Sequence, residues 1–281
     1  MSEDNRSGTR AATTARLVDF ENPPVVETVM GLQFAPLPGW NIVHFGLLWN
    51  LIRDEYPRFQ VQPPIGSEIE LKFDVSAANA PVPSVEMSGW PVRCWFFDRS
   101  ETRLIQIQSN CFIHNWRKTT ATKNYEHYEV IKPIFSCEWN RFVDFLKRNE
   151  IAAPEVWQCE VTYVNHLERG VGWDSFSDLP SVLPSWSGQA SGDFLPKPEV
   201  VFLNVGYPMP NNSGRLQIVA QPAIRQSDGK EVLQLTLTAR GQPKSSAHED
   251  LLKWLDLGHE WVVRGFKDFT SRKMHGVWGI K

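Results

Sequence analysis

Apolar and polar positions alternate, cluster and recur along the chain in a way that separates strands from helices. Val25 to Phe34 is rich in β-branched and large apolar residues. It reads as a strand, entered past Pro23 and Pro24 and closed by Pro36, Pro38 and Gly39. From Trp40 to Tyr56 the apolar residues Ile42, Phe45, Leu48, Leu51, Ile52 and Tyr56 recur at steps that place most of them on one helical face, which ends before Pro57. After the loop at Gln62-Pro63-Pro64 come three strand-like runs, Ile69–Val75, Val92–Phe97 and Arg103–Gln108. The last two are joined by a hairpin turn at Asp98–Glu101, and Cys111 to Lys118 extends or adds a strand. A helix follows over about Tyr125 to Arg148, with Ile131, Phe135, Trp139, Phe142 and Leu146 facing inward. Pro133 is expected to kink it or to mark its start.

The second half repeats the order. Val156–His166 reads as a strand, followed by a Gly/Ser/Pro-rich stretch from Gly170 to Pro198 that holds at most a short helix and reads as a linker or flexible flap. Strands are expected at Val200–Gly206, Leu216–Gln221 and Val232–Ala239, and a last helix over about Ser246 to Phe269. Glu27 precedes Trp40 by the same thirteen residues that separate Glu160 from Trp173. Ile105-Gln106-Ile107 matches Leu233-Gln234-Leu235, and Glu138-Trp139 matches Glu260-Trp261, so the offset falls from 133 to 128 to 122. These patterns predict an α+β fold made by tandem duplication of a β-α-β-β-β-α unit. Antiparallel sheets would carry helices on one face, and the two units would be related by a pseudo-twofold axis. The expected divisions are a disordered lead-in over residues 1–20, a first unit over 21–152 and a second over 153–281.

Composition narrows the function classes without choosing one. With 29 basic and 32 acidic residues the net charge is −3, so no global field steers the molecule to nucleic acid or anionic lipid. Met1 to Arg16 lacks the apolar stretch of a signal peptide, and no run reaches the ~18 apolar residues of a membrane helix; the expected address is cytoplasmic. Cys94, Cys111, Cys137 and Cys159 are widely spaced, which reads as free buried thiols with no metal site. Twelve Trp and sixteen Phe mark a heavily packed interior or a large contact surface. Phosphate-binding glycine loops, Gly-x-Ser-x-Gly and His-Glu-x-x-His are all absent, so neither a catalytic residue nor a cofactor is assigned.

Two segments concentrate groups that could bind. Gln106, Gln108, His114, Asn115, Trp116 and Arg117 offer amides, a ring and a guanidinium able to read a peptide backbone or stack a base. The plainer reading is the polar face of a sheet. Glu27 and Glu160, with Tyr163 and Asn165, suggest carboxylates paired at the junction of the units. Acid–base work would need them about 5–9 Å apart, and an Arg or backbone N–H on each Glu is the plainer outcome. Near the C-terminus, Trp278 is expected to tuck back into its own domain rather than serve as a docking peg.

Asn22-Pro23-Pro24-Val25-Val26-Glu27, Leu104–Gln108 leading into Asn115-Trp116-Arg117, Glu160–Asn165 and Val277-Trp278-Gly279 form an ordered set. On these residues the chain after about residue 20 resembles a sporadically distributed family of uncharacterised bacterial proteins. That resemblance implies no activity, and a patchy distribution would suit accessory, mobile-element or phage-defence genes. The leading expectation is a non-enzymatic interaction or scaffold protein that holds a protein partner or copies of itself. A nucleic-acid binder using the sheet face is the first alternative, since tandem units of this plan resemble the saddle of the TATA-binding protein. It calls for a basic strip joining Arg103, Arg117, Lys118 and Lys123. A small-ligand binder or enzyme at the unit junction is the second alternative.

Overall fold

Nine strands form one antiparallel sheet in the computed structural model, which describes residues 17–66, 92–120, 122, 125–188 and 192–281. The expected strand Ile69–Val75, the lead-in Met1–Arg16 and Lys123 lie outside the described residues. In chain order the strands are β1 (Val25–Phe34), β2 (Arg58–Gln62), β3 (Arg93–Phe97), β4 (Arg103–Gln108), β5 (Cys111–Arg117), β6 (Val156–Glu168), β7 (Leu203–Pro208), β8 (Arg215–Ile224) and β9 (Glu231–Gly241). Across the sheet they run β2-β3-β4-β5-β1-β6-β9-β8-β7. Among the described residues four α-helices are present, α1 (Ile42–Ile52), α2 (Tyr128–Arg148), α3 (His248–Phe269) and α4 (Arg272–Val277). The fold is therefore α+β with antiparallel pairing, as expected. The two halves are not separate sheets facing each other, because β1 pairs directly with β6.

Period-2 alternation decides which side of the sheet is apolar. Thr28, Met30, Leu32 and Phe34 of β1 are buried on one side, in register with Tyr163, Val161 and Cys159 of β6. The helices cover this side. Phe135, Trp139 and Phe142 of α2 pack on Phe112 of β5 at ring distances of 5.3 to 6.0 Å. Gly258 of α3 comes so close to Val161 that a Cβ there would lie 3.1 Å from its methyl.

Helix boundaries follow local chemistry. Asn41 caps α1, its side chain accepting from Val43 N–H at 3.0 Å, while His44 Nδ1 accepts from Asn41 N–H at 3.1 Å. This cap places Trp40 outside the helix, and only Phe45, Leu48 and Ile52 of α1 are buried. Ile42 and Leu51, expected inside, are exposed at 42% and 43%. Pro133 does not begin α2. It sits one turn inside on the exposed side, where the Glu129 carbonyl it leaves unbonded can take water. Pro222 is tolerated within β8 because β7 pairs only as far as Ala220, leaving Pro222 with no neighbour on that side.

Several features depart from the sequence expectation. Arg58–Gln62, to which the sequence pattern assigns no element before the loop at Gln62-Pro63-Pro64, forms a strand. The glycine-rich stretch is packed in its first part: Trp173, Leu179, Val182 and Leu183 are buried, and a 3-10 helix spans Phe176–Ser181. Ser271 Oγ and N–H bond the carbonyls of Ser181 and Val182, which ties that part to α4. Order also begins before the prolines. Phe20 is buried against Phe266 and Trp278, and its strand-like bridge to Ile280 joins the two ends of the chain. Trp278 tucks back as expected, 5% exposed. Three of the thiols are buried, whereas Cys137 is exposed on α2. Among the described residues no helix is long and apolar enough to cross a membrane.

Candidate functional site

The side of the sheet away from the helices carries a transverse chain of polar side chains. Arg93 donates to Gln106 Oε1 at 2.9 Å, Gln106 donates to Asn115 Oδ1 at 2.7 Å, and Asn115 donates to Glu27 Oε1 at 2.6 Å. One side chain from each of β3, β4, β5 and β1 contributes. Gln108 is engaged separately, bonding both the N–H and the carbonyl of Ile65 and donating to Asn110 Oδ1. Arg117 stands opposite Glu27 in the strand register. Burial nevertheless raises the Glu27 carboxyl above its ordinary value, outweighing the Asn115 bond and the Arg117 charge. Gln106 and Asn115 are 7% and 3% exposed. Their hydrogen-bonding groups are spent largely on one another, which makes the ladder a structural element more than a reading head.

Strand alternation divides the segment that looked richest in the sequence. His114 and Trp116 face the helices, and both are fully buried. His114 Nδ1 lies 2.6 Å from Glu138 Oε2 of α2, and Glu138 Oε1 accepts the hydroxyl hydrogen of Tyr56. Trp116 packs edge-on against Tyr125 at 5.4 Å. Neither ring can stack a base. Arg103 pairs in register with Trp116, so it lies on the opposite side from Arg117, and both its Nη2 contacts go to Glu126 at 2.9 Å. A basic strip joining Arg103 to Arg117 is therefore not formed.

The two glutamates are not a catalytic pair. Glu160 is opposite Gly31, four residues along β1 from Glu27, which separates the two by roughly 13 Å along the strand. Glu160 instead accepts from Arg240 Nε at 2.6 Å and from Thr162 Oγ1 at 2.9 Å. Thr162 Oγ1, its hydrogen given to Glu160, also lies within hydrogen-bond distance of Thr238 Oγ1 at 2.9 Å.

Tyr163 and Asn165 point the other way, into a cleft of about 400 Å³ on the helix side of the β1–β6 seam. Its walls come from the N-terminal stretch (Val18, Phe20), the start of α2 (Tyr125, Tyr128), the seam itself and α3 (His259, Val262, Phe266). A relay of hydroxyls crosses it. Tyr125 Oη donates to Tyr163 Oη at 2.9 Å, and Tyr163 Oη lies 3.0 Å from His259 Nδ1. Tyr128 stacks flat on His259, with centroids 3.9 Å apart, and its hydroxyl donates to Asp256 Oδ1 at 3.0 Å. Asn165 is held by its amide, which donates to the Leu235 carbonyl at 3.0 Å. Burial keeps the His259 imidazole neutral by lowering its pKa to about 4, and keeps the Tyr125 and Tyr163 hydroxyls protonated by raising theirs.

Of the ten residues singled out in the sequence, only Tyr163 and Asn165 meet at a cavity. Tyr125, Tyr128 and His259, which complete it, are distant in sequence and share no motif; aromatic clustering before α2 was the only local signal. Neither a protein-family profile nor a curated protein matches the chain.

Proposed function

We propose that this protein is a non-enzymatic interaction protein, built by tandem duplication, that joins a second copy of itself through its outer strand β7. The observation that carries this reading is the character of that strand. β7 is the last strand of the sheet, and its sequence, Leu-Asn-Val-Gly-Tyr-Pro, contains no charge. Edge strands that stay monomeric are commonly guarded by lysine or other charges, because the unpaired N–H and C=O row templates another strand. Exposed apolar side chains lie on this strand and just before it in the chain: Tyr207, Phe202 and Val200. Two uncharged copies of β7 can pair antiparallel with no like-charge contact.

Duplication is supported by the strand order. Exchanging β1 with β6, β5 with β9, β4 with β8 and β3 with β7 maps eight strands onto themselves, with β2 left over. Glu27 opposite Arg117 then corresponds to Glu160 opposite Arg240. Buried positions 131, 135, 138, 139, 142 and 146 of α2 each correspond to a buried α3 position 120 residues on. That spacing places Gly258 and His259, not Glu260 and Trp261, in the positions of Glu138 and Trp139. It also sets Leu233–Leu235 on β9, the counterpart of β5 and not of β4.

The test is the solution mass of wild type and of Gly206→Lys by sedimentation. A Cβ at Gly206 meets no atom within 4 Å, so the variant keeps the monomer fold while charging the edge. A dimer that Gly206→Lys converts to monomer is expected. A wild-type monomer across the micromolar range would overturn self-association.

A further inference from the structure

The junction cleft has a chemical character that the self-association reading does not use. We propose that it is a binding site for a small organic cation, an ammonium carried on a short apolar or aromatic body. Its volume of about 400 Å³ falls within the ~300–1,000 Å³ range of small-molecule sites. Five of the lining residues, Phe20, Tyr125, Tyr128, Tyr163 and Phe266, are aromatic, the residue type that attracts a cation through its ring. The formal charges that line the cleft are acidic, and the nearby cations are turned to carboxylates, Lys281 to Asp19 and Lys132 to Asp256. Among the described residues, its lining contains the carboxylates Asp19 and Glu129 and neither Lys nor Arg.

The two carboxylates are not equivalent. Asp19 has the Lys281 ammonium at 3.4 Å, and His127 Nδ1 lies 3.8 Å away. Glu129, exposed in the first turn of α2, makes no ion pair among the described residues, and its charge faces solvent at the rim. At neutral pH the inner polar groups add no positive charge, because burial holds His259 neutral and both relay hydroxyls protonated. An anionic ligand would enter against the rim carboxylates and find no cationic side chain in the lining. A neutral one would gain only burial. A cation gains both terms, with an expected preference of about tenfold over a neutral ligand of the same shape.

The probes are benzyltrimethylammonium, benzyl alcohol and benzoate, each titrated into the full-length protein with tyrosine fluorescence and ligand-observed NMR. Benzyltrimethylammonium is expected to bind about tenfold more tightly than benzyl alcohol, with benzoate weakest. Glu129→Gln, at an exposed position, is expected to weaken the cation about two- to fivefold and leave benzyl alcohol unchanged. Val263→Phe, which fills the cleft from α3, is expected to abolish binding of all three while the far-UV spectrum stays native. Equal affinity for the three probes, a preference for benzoate, no saturation by the cation at 10 mM (on the order of 3 kcal/mol of affinity), or cation binding that survives Val263→Phe would each overturn the assignment.

Discussion

Replacing Glu138 by alanine separates a structural role for His114 from a binding role. Glu138 is 6% exposed and receives two buried groups, the Tyr56 hydroxyl (3% exposed) and His114 Nδ1 (0% exposed). The Nε2 atom of His114 is already buried without a partner, so the ring has no other hydrogen bond to fall back on. Each polar group left unsatisfied in the core costs about 1–3 kcal/mol. With two such groups orphaned, the total is about 2–6 kcal/mol. Glu138→Ala is therefore expected to destabilise by about 4 kcal/mol, a fall in Tm on the order of 10 °C for a chain of this size. Glu138→Gln offers an oxygen to Tyr56 and an N–H to His114, and is expected to cost about half as much or less. Urea unfolding followed by tryptophan fluorescence measures both variants. A loss below about 1 kcal/mol for Glu138→Ala, or equal losses for the two variants, would refute the reasoning.

Other residues give independent checks. The His259 pKa is near 4 in the folded protein against ~6.5 unfolded, so the unfolded chain binds the proton first. Its contribution is complete above pH ~6.5 and falls away toward pH ~4, by about 3 kcal/mol at the low end. The difference in stability between wild type and His259→Phe should follow that window in pH-dependent unfolding. Cys137 should be the one thiol that reacts rapidly with a thiol reagent in the native protein. Cys94 and Cys111 are buried and pushed up to about 11 and about 12 by that burial, and Cys159 is also buried and raised. Gly241→Ala should cost at least about 2 kcal/mol by thermal unfolding, because its Cβ would lie 2.0 Å from the Ser213 carbonyl oxygen.

Much of the fold was legible because it rests on periodicity. Val25–Phe34 coincides with β1, Arg103–Gln108 with β4, and the buried positions 131, 135, 139, 142 and 146 lie on the expected face of α2. Less legible were features set by tertiary contact. Arg58–Gln62 alternates polar and apolar, but over only five residues between Pro57 and Pro63, and it becomes a strand by pairing with β3. Residues 173–183 look like a linker by composition but are tied down by α4. The binding segment misled for a simple reason: His114, Asn115, Trp116 and Arg117 are consecutive, and a strand cannot place consecutive side chains on one side. An Arg or a backbone N–H is the expectation for each glutamate; Glu160 takes the Arg240 guanidinium, whereas Glu27 takes the side-chain amide of Asn115. The cleft was half visible, in Tyr163 and Asn165. Its other walls come from residues as far apart as Phe20 and Phe266, which only the sheet order brings together.

Hydrogen exchange at the amides of Leu203–Tyr207, followed over a hundredfold dilution, tests strand pairing between copies most directly. Pairing through β7 would protect its outward-facing amides at high protein concentration and release them on dilution, while β1 and β6 at the centre of the sheet stay unchanged. Exchange in β7 that is fast and independent of concentration would contradict the account, because an unpaired edge strand leaves those amides open to water at every concentration.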